Sequence, residues 1–599
     1  MINIETFKKF PDRTFGLGQD VSTNLLDIVK VPALFVKDSK IHQDLINGRL
    51  KQVTIDAGAP QEIYDKLFHA LQSTRINNQN LVTLPKYGRA VFASGLIRAI
   101  FDGQKGPAIK DWPAKNYLSV AVGMGLVELD YSKDEYFITD LGTQAVKLLD
   151  EEKIEELQKF MFQRLLEYPY AAWLIRLVNK NKSKAYSKFD LGENFGFIDE
   201  PGFTSLPEDL YVDAMLDAEI CQDKDLKKQI KSNYESTADK YMRWLAGVLI
   251  NYKLLKKDKK PYTKEVNSKK YSINVDTYKV TSEGIRALNM VNGGSRFHRS
   301  KKRVRWEYLA PKVENASRRK TARALMLKYL SESAKGLTAD KLSEKINEIA
   351  PSIKSIPEQV IDDAKGLNRL GIEIDINDNL LQLKENLYDF VIPVKKNHTF
   401  KSNRADEIKS LLLPKLKHVD HKYLQAIDLA YKKNTTNQEN TLFEVLSTKL
   451  FTHEMDYQGS HLGGSNKPDG FVFDDSTGWI LDSKAYSKGF AVTAHATDPM
   501  GRYIEQYRKR NDKSTWWKEF PSNLPKTYFA YISSRYIGHY QQQLQDFEDR
   551  NHMQGALIEI PKLILAAEQY KANNLKHIDI EKYLLNNQID FDTYFSVLN

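Results

Sequence analysis

The chain has little of what would tie it to an oxidising compartment or to a bilayer. One cysteine, Cys221, stands among 599 residues, so neither an internal disulfide nor a multi-cysteine zinc site can form. A lone thiol of this kind is expected to be a small buried apolar residue rather than a nucleophile. No apolar run approaches the roughly 18 residues that a membrane crossing requires, and the N-terminal Met-Ile-Asn-Ile-Glu-Thr-Phe-Lys-Lys lacks the apolar core of an export signal. A cytoplasmic bacterial-type protein is the expectation. No Gly-x-x-x-x-Gly-Lys-Ser/Thr loop occurs, which disfavours ATP-driven chemistry. Acidic charge is also in deficit: 88 Lys+Arg against 78 Asp+Glu leave a net charge of +10 and a pI near 9.0. An anionic partner, nucleic acid or a membrane surface, fits that balance.

The length implies several cores rather than one, and an internal repeat shows how the first part is divided. A helix running into Gly125-Leu126-Val127-Glu128, a second strand at Tyr136-Phe137-Ile138 and a helix opening at Thr139-Asp140-Leu141-Gly142-Thr143-Gln144-Ala145 spell helix, hairpin, helix. The pattern returns with a helix over Tyr241 to Tyr252, short strands at Lys253-Leu254-Leu255 and Tyr278-Lys279-Val280, and Thr281-Ser282-Glu283-Gly284-Ile285-Arg286-Ala287 in the same Thr-x-x-Gly-x-x-Ala register. A weaker copy runs through Leu367 to Ile374 and Leu380 to Leu383. Three winged-helix-like units over 1–150, 151–298 and 299–390 are expected, and such units place a helix in the DNA major groove or act as protein-contact modules. The clusters Arg299, Lys301, Lys302, Arg303, Arg305 and Arg318, Arg319, Lys320, Arg323 are candidates for phosphate contact or ordinary solvated faces. From 391 to 404 the pattern loses periodicity and reads as a linker. Beyond it, over 405–599, helices mixed with strands argue an α/β domain.

In that last domain Phe471-Val472-Phe473 and Trp479-Ile480-Leu481 flank the turn-forming Asp474-Asp475-Ser476-Thr477-Gly478, a β-hairpin. Alternation along the second strand puts Asp482 and Lys484 on one face. Asp469, at the mouth of the first strand, joins them when the hairpin closes. Two carboxylates and the Ser483 backbone carbonyl make a hard oxygen site suited to Mg²⁺. Such an ion activates water and polarises a phosphoryl oxygen, with Lys484 placing the water or neutralising charge. The spacing therefore points to phosphodiester hydrolysis, although a charged surface hairpin has the same letters.

Pro468-Asp469…Asp482-Ser483-Lys484, preceded by Gly459-Ser460-His461-Leu462-Gly463-Gly464-Ser465 and followed by Ala485-Tyr486-Ser487-Lys488-Gly489, closely resembles the cleavage domain of FokI-type type IIS restriction endonucleases. Arg13-Thr14-Phe15-Gly16, the stretch from Lys188 to Pro207, Asp239-Lys240-Tyr241-x-Arg243 and Lys302-Arg303-Val304-x-Trp306-Glu307 resemble that family's recognition half, in the same order. The resemblance implies a multidomain protein: mainly α winged-helix-like recognition subdomains followed by an α/β PD-(D/E)xK nuclease domain. It implies an asymmetric duplex target, GGATG, and a staggered Mg²⁺-dependent cut of both strands outside the site. It implies Asp469 and Asp482 as metal ligands, Lys484 as the catalytic lysine and Glu444 as an acid near the active site. The positions matching the family's DNA contacts are Gln19, Asp20, Trp112, Glu235, Lys240 and Arg243. Asp20 departs from the amide expected there: an acid accepts from cytosine N4 but cannot donate to a purine acceptor.

The family pairs its cleavage domains transiently through a helix, and Asp498 and Arg502 match that place, one turn apart. They suit either reciprocal salt bridges across a two-fold axis or an intrahelical pair, with Gly501 weakening the helix. A monomer when free, a homodimer on double-stranded DNA and a protecting DNA methyltransferase in the host complete the implied picture. The competing readings are a sequence-specific DNA-binding regulator with an inert nuclease domain and a repair or transposon-end nuclease.

Overall fold

The computed structural model describes residues 2–598 apart from 15, 204, 294–297, 313–314, 397–398, 464–465, 511–514 and 589. Phe15, Thr204, Gly464 and Ser465, which belong to the stretches carrying the resemblance, thus lie outside the described residues. The chain divides into two units, 1–197 with 202–401, and 198–201 with 402–599. No described helix is long and apolar enough to cross a membrane.

The first unit begins with β1 (Asn3–Phe7) and then repeats one arrangement three times. A short strand is followed by helices and then by an antiparallel hairpin, whose second strand returns beside the first. The sets are β2 (Arg75–Asn77), β3 (Val127–Asp130) and β4 (Glu135–Ile138) in the order β2-β4-β3; β5 (Tyr186–Ser187), β6 (Leu255–Val266) and β7 (Lys269–Val280) in the order β5-β7-β6; and β8 (Leu337–Thr338), β9 (Ile374–Asn377) and β10 (Leu380–Leu383) in the order β8-β10-β9. The helices entering the three hairpins are Asp111–Gly123, Thr237–Asn251 and Pro357–Asn368. This is winged-helix topology. β11 (Val391–Lys395) closes the unit by pairing in parallel with β1.

The Thr-x-x-Gly-x-x-Ala register recurs because the same contacts recur. Thr139 and Thr281 each cap a helix by accepting from the amide of Gly142 or Gly284, both at 3.0 Å. Their hydroxyls reach back to Gly125 O at 2.7 Å and Lys253 O at 2.6 Å. A Cβ on Gly142 would stand 2.1 Å from Leu126 O, and one on Gly284 2.2 Å from Leu254 O, so helix and wing approach too closely for any side chain. Ala145 and Ala287, one turn on, are buried beneath.

Three expectations for this unit are corrected. The second hairpin is long, with twelve residues in each strand, and turns through Asn267 and Ser268, both at positive φ. β6 is exposed along almost its whole length, so no apolar alternation marks it. The basic clusters are mostly internal ties rather than a DNA-facing surface. Lys302 is fully buried and donates to Leu166 O at 2.9 Å; burial lowers its pKa to about 8. Arg303 pairs with Glu167, Arg305 with Glu128, and Arg299 with Glu373 and Glu385. Lys320, also fully buried, meets Asp12 at 3.2 Å and the Trp306 ring at 4.6 Å, and Arg323 meets Asp363 at 2.7 Å. Of the first cluster Lys301 is exposed. Cys221 is exposed rather than buried, because it follows the last residue of the Glu208–Ile220 helix. In addition, Val391–Lys395 within the expected linker is a paired strand.

The second unit carries a five-stranded sheet of β12 (Gln458–His461), β13 (Gly470–Phe473), β14 (Thr477–Lys484), β16 (Lys526–Ser533) and β18 (Gly555–Glu559), in the order β12-β13-β14-β16-β18. β15 (Phe490–Ala491) and β17 (Tyr536–Ile537) pair separately. β12, β13 and β14 are antiparallel, whereas β14, β16 and β18 run parallel. The parallel steps cross over through Ala494–Lys509 and Tyr540–Asn551. β14 is central and buried over its first six residues, which is why Thr-Gly-Trp-Ile-Leu reads as a nearly continuous apolar run. Ahead of the sheet come the helix Arg404–Leu412, a 3₁₀ turn His421–Leu424 and the helix Gln425–Tyr431.

Removing the Lys302 side chain to alanine should cost about 2–5 kcal/mol of stability, as for a buried aliphatic chain, while Lys301→Ala should stay within about 0.5 kcal/mol. Denaturant unfolding checks both. Unchanged unfolding of Lys302→Ala with a shallower salt dependence of DNA binding would restore the phosphate-contact reading.

Candidate active site

The polar turn sets the hairpin register. Asp474 Oδ1 accepts from the amides of Ser476 at 2.8 Å and Thr477 at 2.7 Å, an Asx turn that places Phe473 opposite Gly478 and Gly470 opposite Leu481. Pairing continues one residue past β13: Asp469 N donates to Leu481 O at 3.1 Å, and Leu462 N, just beyond β12, donates to Asp469 O at 2.8 Å. Asp469 is thereby gripped from both sides. Its Oδ2 accepts from Ser483 N at 2.6 Å.

On β14, Asp482 and Lys484 share a face, and Lys484 Nζ donates to Asp482 Oδ1 at 2.6 Å. Asp482 is 3% exposed, and its other oxygen, Oδ2, is buried with no partner among the described residues. Glu444, on the Asn437–Lys449 helix, bonds through Oε2 to His461 Nε2 at 3.1 Å. The structure thus brings Asp469, Asp482, Ser483, Lys484 and Glu444 to one end of the central strand.

Burial, then the neighbouring charges of Asp482 and Glu444, hold the Asp469 carboxyl well above the usual carboxylate range, against the pull of Lys484 and the Ser483 amide. Burial works to lower the Lys484 ammonium, but the Asp482 and Asp469 carboxylates outweigh it and leave the pKa raised. A compact negative site of this kind suits a cation. The orphaned Asp482 Oδ2 is a buried acceptor in want of a donor or an ion. The Ser483 carbonyl lies on the strand side whose amide reaches Asp469. Among the described residues no group of three His, Cys, Asp or Glu forms a ligand set. Two carboxylates and a carbonyl leave the remaining positions to water and phosphate, as magnesium sites do. The donors present therefore fit a divalent ion.

Two neighbours were not anticipated. His461 lies in a quoted motif, but nothing in the letters marks its bond to Glu444. Tyr503, buried on the Ala494–Lys509 helix, has its hydroxyl pKa raised by burial and then by Asp482 and Asp469. That helix carries Pro499 inside it. Asp498 and Arg502 are exposed and line a groove of about 940 Å³ with Arg508 and Arg550. At 4.0 Å or less neither forms an ion pair with a described residue, so the intrahelical alternative is not realised.

The candidate base-reading residues gather elsewhere, in the first unit. The loop over 16–23 lies against two helices. Asn116 Nδ2, from Asp111–Gly123, donates to Gln19 O at 2.7 Å, and Tyr117 OH accepts from Ser22 N at 3.1 Å. From Thr237–Asn251, Trp244 Nε1 donates to Ser22 O at 3.2 Å and Asn251 Nδ2 to Thr23 O at 2.9 Å. This loop carries Gln19 and the exposed Asp20, the latter at φ 57°. Trp112 is 44% exposed at the start of one helix, and Lys240 and Arg243 lie in the first half of the other. Glu235 is buried, held by Lys188 and by Arg243 Nη1 at 2.7 Å. Both of its oxygens are thus engaged within the fold.

The chain is 46% identical to the type II restriction enzyme StsI of Streptococcus sanguinis, over 100% of this chain and 99% of that one. It is 30% identical to the type II restriction enzyme FokI of Planomicrobium okeanokoites, over 97% and 99%. The chain belongs to the FokI family of type IIS restriction endonucleases. Family models match in order: FokI recognition domain subdomain 1 at 13–148, subdomain 2 at 157–296, and the FokI cleavage domain at 402–590. Two solved structures of FokI, one of them bound to DNA, each superpose with a TM-score of 0.84 at 29% identity, covering 96% of this chain and 99% of theirs. This FokI-type enzyme is therefore a site-specific DNA endonuclease with a helical recognition half and a cleavage domain.

The raised carboxyl gives a signed prediction. Because the Asp469 pKa is higher in the fold than in the unfolded chain, its charge destabilises the metal-free fold above that pKa, and acidification relieves the penalty. Without divalent metal at neutral pH, Asp469→Asn should melt higher than the parent, and the gap should close as pH falls. A variant that melts lower at every pH would contradict this.

Proposed function

We propose that the enzyme binds the asymmetric duplex GGATG and makes a staggered, Mg²⁺-dependent double-strand cut at a fixed distance outside it. The observation that carries the hydrolytic part is the convergence of Asp469, Asp482 and Lys484 at one strand end, with Asp482 Oδ2 buried and unpartnered. Oxygens of Asp469 and Asp482 and the Ser483 carbonyl would hold Mg²⁺. The ion, when bound, supplies Lewis-acid polarisation of the phosphoryl oxygen and a more acidic water. Lys484, kept protonated by both carboxylates, directs its ammonium to the attacking water or the developing negative charge. Glu444 is an accessory acid of the same site.

Recognition rests with the three subdomains over 1–150, 151–298 and 299–390, joined by the 391–404 segment to the cleavage domain at 405–599. Lys240 and Arg243 have the donors for guanine O6 and N7 and Gln19 the amide for adenine. Asp20 can accept from cytosine N4, and Trp112 presents an apolar face. Glu235 steadies Arg243. One hydrolytic centre cuts one strand, so the second cut requires a second copy. The exposed Asp498 and Arg502 suit reciprocal ion pairs across a two-fold axis, formed transiently on DNA by a protein that is monomeric when free. A host methyltransferase would protect the same site, and the bacterial cytoplasm is where both would meet DNA.

A duplex carrying GGATG should be cut on both strands with Mg²⁺ and not with chelator, while a scrambled duplex survives. Asp469→Ala should abolish cutting and leave affinity within about threefold, well under the tenfold that 1.4 kcal/mol represents. Equal cutting of the scrambled duplex would refute the specificity, and lost binding by Asp469→Ala would place that residue in folding or recognition. Substituting Asp498 or Arg502 should slow double-strand cleavage far more than binding. For the unsubstituted enzyme the rate per molecule should rise with protein concentration; a rate independent of concentration would contradict pairing.

A further inference from the structure

One acid of the cluster is not held by the sheet. Asp469 and Asp482 are fixed by the hairpin, but Glu444 arrives from the Asn437–Lys449 helix, and its charge helps to raise Asp469. Like charges in a part-buried site repel, and a glutamate has rotamers that lead away. The contact opposing this is His461. Its Nε2 lies 3.1 Å from Glu444 Oε2, and its side chain is 8% exposed.

The imidazole is itself fixed. His461 ends β12 and pairs with Gly470, the residue after Asp469, so one stretch of strand places both the ring and the carboxylate. The chain then turns back at Gly463, φ 56°, where a Cβ would stand 3.0 Å from His461 Cε1. The other ring nitrogen, Nδ1, is buried and has no partner among the described residues. With Nε2–H donating to Glu444, Nδ1 is left as an acceptor that only a small polar molecule such as water can satisfy.

We propose that His461 is a positioning residue of the hydrolytic site: it holds the Glu444 carboxylate toward the space beside Asp469, where Glu444 accepts hydrogen bonds from water in the shell of the divalent ion. The inference rests on the Mg²⁺-dependent reading above. Groups that orient the donors around a metal change affinity or activity by about 10- to 100-fold when removed.

The test compares the full-length protein with His461→Ala, His461→Gln, Glu444→Gln and the Glu444→Gln/His461→Ala pair. Two readouts are taken against metal concentration: duplex cleavage in Mg²⁺, and the rise in melting temperature caused by Ca²⁺ alone. His461→Ala and Glu444→Gln should each raise the half-maximal metal concentration about 10- to 100-fold in both readouts, with DNA affinity unchanged. The pair should lose no more than either single change, and His461→Gln, whose amide nitrogen can replace Nε2, should recover most of the loss. A folded His461→Ala protein with the parent's metal dependence would overturn the proposal, as would a pair whose loss is the product of the two single losses. Should His461→Ala fail to fold, the cycle is run with His461→Leu, which keeps the bulk but has no donor and whose loss must vanish in the Glu444→Gln background. A parent protein that does not cut in Mg²⁺ would remove the hydrolytic reading itself, whereas an active parent with indifferent His461 variants removes the positioning role alone.

Discussion

The bond from the Ser483 amide to Asp469 Oδ2 is the constraint on which the proposed cleavage site depends. It joins the residue before β13 to the strand that carries Asp482 and Lys484, and so holds two carboxylates side by side against their repulsion. The fold supplies the compensation from every direction: the Asx turn at Asp474 sets the register, the β12 end grips the Asp469 backbone, and Lys484 lies against Asp482. A slip of one residue in this pairing would turn Asp482 and Lys484 to the opposite face. The burial of β14 between two neighbouring strands makes such a slip costly.

The recognition half answers a different constraint, because reading several bases requires side chains from distant stretches to meet. The 16–23 loop, which carries two of the proposed base contacts, bonds to Asn116 and Tyr117 on one side and to Trp244 and Asn251 on the other. Two helices that enter successive wings are thereby tied through a segment near the N-terminus. Most of the basic residues of the two clusters between 299 and 323 serve the same rigidity, tying the first unit from within. Net positive charge remains a fair guide to an anionic partner, but the buried members of these clusters are not where that charge is offered.

Much of this architecture was legible in the letters. The hairpin at 471–481 was visible because two apolar runs enclose a turn, and the repeat because Thr139 and Thr281 perform the same cap over a glycine that no other residue can replace. Other features carried no local signal. The long second wing is exposed almost throughout β6, so burial imposes no alternation on it. Lys302 and Lys320 have surface-type side chains that become core residues only because Leu166 O, Asp12 and Trp306 arrive from elsewhere in the chain. The exposure of Cys221 depends on where a helix stops. The His461–Glu444 contact joins a strand end to a helix 17 residues earlier, and the clamp of Lys188 and Arg243 on Glu235 likewise needs the tertiary fold to be seen.

On the proposed reading, the chemistry at the Asp482 end of β14 is indifferent to base sequence and takes its specificity from side chains in the other unit. The most direct measurement of that division is to digest phage DNA with the purified enzyme in Mg²⁺ and sequence every end. Ends at one fixed offset, on one side of a single asymmetric motif, are the predicted result. Ends scattered without a shared motif, or falling within the motif itself, would contradict it.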